Sequence, residues 1–286
     1  SINLVKTGFF VRTDSANIDS KGAYHIAANK FVTGGSPDFV DAYYLKGKSV
    51  WSINKIGTMP PTELTSLLDS SGYLHVVSND TGNNPTAGVY YSTNKTGTFS
   101  TTKLYGSTTA KPSIAFSSPG IPAIVYIQWD THGFAFSEAP NLTNYSTLDS
   151  YGVDHGPPLS LKVQSNKLHL AYAKYIDYYV NSEVAIQVRS SGKWAKTTIA
   201  QKTPAVFTVD LTLDSNGNHH VFTCNSSKDL TYYTDKNSTW KTYTVLKGKC
   251  GDGKIDSIFH NGRFHIAYTS TGNTIDIYSF PPSAYP

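Results

Sequence analysis

The sequence predicts an all-β chain, a six-bladed β-propeller of four-stranded antiparallel blades, and three observations lead there. A turn-and-strand motif recurs along the whole length. Its copies lie about 45 to 50 residues apart, the period of four-stranded blades. Only 15% of residues are charged while 13% are aromatic, with 20 Tyr and 22 Gly, the makeup of short strands joined by turns. The clearest copy is the hairpin from Leu213 to Phe222, with Asp214-Ser215-Asn216-Gly217 as its turn and His220 in its second strand. Asp19-Ser20-Lys21-Gly22 with His25, Asp69-Ser70-Ser71-Gly72 with His75, Asn166-Lys167 with His169, and Asn261-Gly262 with His265 align with it. A degenerate copy runs from Ser118-Pro119-Gly120 to Tyr126.

On this ruler the chain forms one domain, 1–286, with blades at about 9–57, 58–106, 107–152, 153–201, 202–248 and 249–280. Third strands fall at 42–45, 88–91, 133–136, 184–187, 230–233 and 275–278, each alternating or β-rich. Fourth strands begin at an aromatic residue: Trp51, Phe99, Tyr145, Trp194 and Trp240. The last unit, ending at Phe280-Pro281-Pro282, has no fourth strand of its own. The segment Ser1 to Gly8 reads like Trp51 to Gly57 and is expected to serve as that strand, closing the ring without an open edge.

Composition also excludes partners. A net charge of +4 without any Lys/Arg run lacks the footprint nucleic acid demands, and no apolar run reaches the length of a membrane span. The chain opens at Ser1-Ile2-Asn3 with neither an initiator Met nor a signal-peptide core, which reads as a mature chain of the secretory route. Asn79, Asn94, Asn141, Asn144, Asn225 and Asn237 each begin an Asn-x-Ser/Thr tripeptide, the acceptor pattern of a glycoprotein. Cys224 and Cys250 are either one disulfide or two inert buried thiols. No zinc spacing, phosphate loop, nucleophile elbow or calcium loop occurs, so neither metal nor cofactor is expected.

The repeat separates scaffold from site. His25, His75, His169, His220 and His265 share one position in the unit and are read as fold devices, bonding a neighbouring blade's backbone or packing between sheets. Trp51, Trp194 and Trp240 fall to the same logic. Residues without counterparts sit on the face of long b–c loops and d–a crossovers, where variable loops on a rigid scaffold build sites. There His132, His155, Arg12, Asp130 and Lys111 are the candidate catalytic groups. Trp129, Tyr175, Tyr178, Phe31, Phe207 and Glu63 are the candidate substrate contacts, with Phe9, Phe10, Phe39, Tyr179, Asp14 and Asp154 nearby. An apolar mouth with sparse polar groups suits a small, largely apolar organic ligand.

Three family resemblances bear on activity. Ser92 to Phe99 and Val188 to Trp194 resemble the sialidase S-x-D-x-G-x-T-W box. Sialidases use three arginines, however, and of Arg12, Arg189 and Arg263 the last two lie in hairpin turns of the other face. In its whole architecture, a compact six-bladed propeller without a metal or nucleotide motif, the chain resembles the small fungal propeller enzymes of hetero-Diels–Alder cyclisation in tropolone sesquiterpenoid biosynthesis. That resemblance implies a cofactor-free cyclase that loses water to form a reactive diene, holds it against an alkene and hydrogen-bonds the activated carbonyl. It carries no catalytic residue with it. The chain also resembles propeller lectins, which stack Trp and Tyr on sugars, and a secreted glycan-binding protein is the alternative.

Overall fold

The recurring turn is built around its aspartate. Oδ1 of Asp19 accepts the N–H groups of Lys21 and Ala23 at 2.9 and 2.8 Å, and Asp69 does the same for Ser71 and Tyr73 at 2.9 and 2.8 Å. Asp214 accepts those of Asn216 and Asn218, both at 2.9 Å. The fourth turn residue must then adopt a left-handed backbone, and glycine occupies it: Gly22, Gly72 and Gly217 have φ of 75°, 85° and 84°. Each turn thus feeds the chain from a first strand into a second.

A computed structural model of the chain describes residues 9–10, 16–31, 40–47, 51–58, 63–80, 87–106, 109–128, 130–150, 158–177, 180–236, 238–272 and 274–285. The chain divides into two compact units, Ser1–Ser150 and Tyr151–Pro286.

Unit 1 holds three antiparallel sheets, here blades 1 to 3. Blade 1 contains β1 (Phe9–Phe10), β2 (Ala16–Ile18), β3 (Tyr24–Phe31), β4 (Val40–Gly47) and β5 (Trp51–Thr58), with β1 and β2 both pairing β3. Blade 2 is β6 (Glu63–Leu68), β7 (Leu74–Asp80), β8 (Gly88–Thr93) and β9 (Ser100–Tyr105). Blade 3 is β10 (Thr109–Ser118), β11 (Ile121–Gln128), β12 (Gly133–Glu138) and β13 (Tyr145–Ser150). Second strands are buried on both faces: in β11 every residue after Ile121 is buried. Fourth strands are mostly exposed, and β9 accordingly reads Ser-Thr-Thr-Lys before Leu104 turns in. The cores lie between adjacent blades. Val77, Val89, Tyr91 and Leu104 of blade 2 pack on Ile114, Ile124, Tyr126 and Ala135 of blade 3.

Unit 2 repeats the plan. Blade 4 is β14 (Leu159–Gln164), β15 (Lys167–Asp177), β16 (Asn181–Ser190) and β17 (Lys193–Pro204), and blade 5 is β18 (Val206–Leu213), β19 (His219–Asn225), β20 (Leu230–Thr234) and β21 (Lys241–Leu246). Blade 6 shows three strands among the described residues: β22 (Cys250–His260), β23 (Arg263–Ser270) and β24 (Ile275–Phe280). A single 3-10 turn, Pro282–Ala284, follows. Cys224 of β19 and Cys250 of β22 form a disulfide with their Cα atoms 5.7 Å apart, which decides between the two cysteine readings. Among the described residues no helix is long and apolar enough to cross a membrane.

One expectation changes. Some connections read as loops are strand: β17 runs on to Pro204 and only Ala205 separates it from β18, while Tyr175 pairs with Ser182 inside a lengthened β15–β16 hairpin. Glu63 and Lys111 likewise lie in β6 and β10 rather than in crossovers. Paired backbone satisfies its N–H and C=O groups, whereas the sequence showed only that the side-chain alternation had lapsed. The closing strand expected at Ser1 to Gly8 lies outside the described residues.

Candidate functional site

Four of the repeated histidines, His25, His75, His169 and His220, are bonded into the scaffold. His25 lies between Oδ2 of Asp19 (3.0 Å) and the hydroxyl of Tyr44 (2.7 Å), and His75 lies between Asp69 (3.3 Å) and Tyr91 (2.6 Å). His220 meets Asp214 at 3.5 Å and Tyr232 at 2.7 Å. Each imidazole of His25, His75 and His220 therefore ties its own blade's turn to its own third strand, a correction to the expected bond with a neighbouring blade's backbone. Packing between sheets also occurs, through His75 against Phe116 at 4.9 Å and His220 against Phe264 at 4.4 Å. Burial pushes His75 down and His220 to about 4, so both rings are neutral struts at ordinary pH.

Blades 4 and 5 are joined by polar clasps. Nδ1 of His169 meets Nε2 of His219 at 2.8 Å, and Nδ1 of His219 meets Oδ2 of Asp235 at 2.6 Å. Burial, and then the neighbouring His219, bring His169 to about 4. On the first strands, Asp210 accepts the hydroxyls of Ser160 (2.7 Å) and Ser257 (2.6 Å) and the Ser257 N–H (2.7 Å), bolting β14, β18 and β22 together. Such fully bonded carboxylates hold structure and leave no free acceptor.

One polar group departs from this pattern. The turn between β11 and β12 carries Asp130 and His132, with His132 in the left-handed region at φ 47° and the Thr131 hydroxyl donating to Oε1 of Gln128 at 3.1 Å. Asp130 is exposed, and its Oδ2 accepts the hydroxyl of Tyr105, the last residue of β9, at 2.7 Å. Burial first, and then donation to Asp130, raise the Tyr105 phenol well above its ordinary range, so it stays a donor. Tyr145 stands edge-on to Tyr105 at 5.3 Å and is 44% exposed, and Tyr126 supports Tyr105 from below at 5.9 Å. Between blades 2 and 3, Tyr105 thus touches both a fixed, exposed carboxylate and a partly exposed aromatic ring.

Of the residues expected from sequence, Asp130 and His132 share this turn. Glu63 opens β6 opposite Asn79, Lys111 falls at the register break of β10, and Phe31 ends β3 opposite Val40, each in a separate blade. Tyr175 is 7% exposed in β15 and burial raises its phenol. Phe207 lies half-buried at a bulge of β18. Arg12, Trp129, His155 and Tyr178, with Phe39, Tyr179, Asp14 and Asp154, lie outside the described residues. Tyr105 and Tyr145 were missed. Tyr145 looked like one more aromatic opening a fourth strand, but Tyr105 had a signal, since Gly57 and Leu246 hold its position in blades 1 and 5.

No protein-family model matches the chain, and no curated protein sequence matches it. Solved structures do. AofleA from Arthrobotrys oligospora superposes with a TM-score of 0.59 at 12% identity, covering 96% of this chain and 86% of that one. The fucose-recognising Aleuria aurantia lectin, a six-bladed propeller, gives 0.57 at 11% identity over 92% and 89%. The fold is the six-bladed β-propeller. An α-L-arabinofuranosidase from Fusarium graminearum shares it, with a TM-score of 0.56 at 13% identity over 96% and 95%. At these identities the likeness extends to the fold alone. None of the three is a hetero-Diels–Alder enzyme.

Proposed function

We propose that this propeller binds carbohydrate, through one site where Asp130 and Tyr145 flank Tyr105 between blades 2 and 3. The observation that carries the reading is Asp130, exposed and fixed through Oδ2 by Tyr105 at 2.7 Å, with the open ring of Tyr145 edge-on to the same Tyr105 at 5.3 Å. A sugar presents an apolar C–H face and a rim of hydroxyls, and an aromatic face beside an ionised acceptor complements both. A carboxylate as acceptor favours neutral sugars over uronic acids, since like charges repel. The fold is one that a fucose-recognising lectin and an arabinofuranosidase also use, which supports the sugar reading over the cyclisation expected from the fungal enzymes. The Cys224–Cys250 disulfide supports a secreted protein, because such bonds persist in oxidising compartments.

Calorimetric titration with a panel of neutral mono- and oligosaccharides tests the proposal. A retained sugar should lose about tenfold or more in affinity in Asp130→Ala and in Tyr145→Ala, roughly 1.4 kcal/mol each, with melting temperatures near wild type. Undiminished binding in both variants would move the site elsewhere. Cyclisation of an organic substrate by a wild-type chain that retains no sugar would restore the cyclase reading.

A further inference from the structure

The fold sorts the Asn-x-Ser/Thr tripeptides. Asn79 is 0% exposed in the middle strand β7, and Asn225 is 5% exposed with its Oδ1 accepting the N–H groups of Ser227 (3.0 Å) and Asp229 (3.1 Å). A glycan on either Nδ2 would have to leave a packed interior, which the folded blade forbids. Asn94 is half-buried, with its side-chain carbonyl committed to the Leu74 N–H at 2.8 Å. Asn237 lies outside the described residues. Asn141 and Asn144 differ: both are exposed, as are Thr143 and Ser146, the hydroxyl residues of their tripeptides. They lie in the turn between β12 and β13, where the Asn144 N–H donates to the Asn141 carbonyl at 3.0 Å. Leu142 anchors that turn by packing on the core between blades 2 and 3. The disulfide independently indicates an oxidising compartment.

We propose that this turn, through Asn141, Asn144 or both, is where the chain carries N-linked glycan when it passes through a glycosylating secretory route. The side-chain nitrogen forms a bond to C1 of the first sugar of a lipid-linked oligosaccharide. The lipid pyrophosphate leaves with the bonding pair, and the amide nitrogen gives up one proton. This assignment does not depend on the sugar-binding site.

The test is the full chain secreted by yeast behind a cleavable leader, with intact mass measured before and after peptide N-glycosidase. The expected result is an enzyme-sensitive mass increment that persists in Asn94→Gln and disappears in the Asn141→Gln/Asn144→Gln double variant. Thr143→Ala/Ser146→Ala removes the same two acceptor patterns while keeping both asparagines, and should also lose the increment. Secreted wild-type protein without an enzyme-sensitive increment overturns the proposal, as does an increment that survives in either double variant.

Discussion

The phenol of Tyr105 in blade 2 and the carboxylate of Asp130 in blade 3, 25 residues apart in sequence, meet at 2.7 Å. That bond fixes the direction of an exposed acceptor. Tyr105→Phe keeps the ring packed on Tyr126 and Tyr145 while freeing Asp130. Sugar affinity should fall by about fivefold, the worth of one hydrogen bond of roughly 1 kcal/mol, without a comparable loss of stability. Calorimetry on the variant decides it, and unchanged affinity would detach Tyr105 from the site.

His75 tests the opposite role. Its ring lies between Asp69 and Tyr91 and against Phe116 of the next blade. His75→Ala leaves buried polar partners unpaired and should cost about 1 to 3 kcal/mol in urea unfolding while leaving sugar affinity intact. Lost binding at full stability would make this histidine functional after all.

Stability should weaken in acid below the ordinary histidine range. Burial holds His169 and His220 near 4 and lowers His75, whereas an unfolded histidine titrates at about 6.5. Above about 6.5 neither state binds the proton, so these depressed values cost no stability there. As pH falls from there toward 4 the unfolded chain protonates first, at a cost of up to roughly 1.4 kcal/mol per pH unit for each histidine, less where solvent screens the ring. Melting temperatures between pH 7.5 and 4.5 should decline, and His169→Gln should flatten the decline. An identical slope in the variant would exclude His169 as a source.

The disulfide closes a segment of 26 residues between β19 and β22. Removing it in Cys224→Ala/Cys250→Ala should lower stability by about 3.5 kcal/mol, the loop-closure estimate for that length. Urea unfolding of the double variant checks the figure, and a midpoint equal to wild type would show that packing alone holds blades 5 and 6.

What the sequence determined by itself was the repeat. The Asp-x-x-Gly turn, the histidine three residues later and the aromatic at each fourth strand are local patterns, and strand alternation with turn chemistry dictates them wherever they recur. They sufficed for six blades and for setting the repeated histidines aside. The tertiary structure decided what those histidines bond, how far the strands extend, and which polar groups meet between blades. Tyr105 shows why: its partner belongs to another blade, and a contact between blades depends on how two sheets pack, which no period within one of them encodes. Asp130 was legible as a residue outside the repeat. Only packing makes it a fixed acceptor, because Tyr105 of the neighbouring blade holds one of its oxygens.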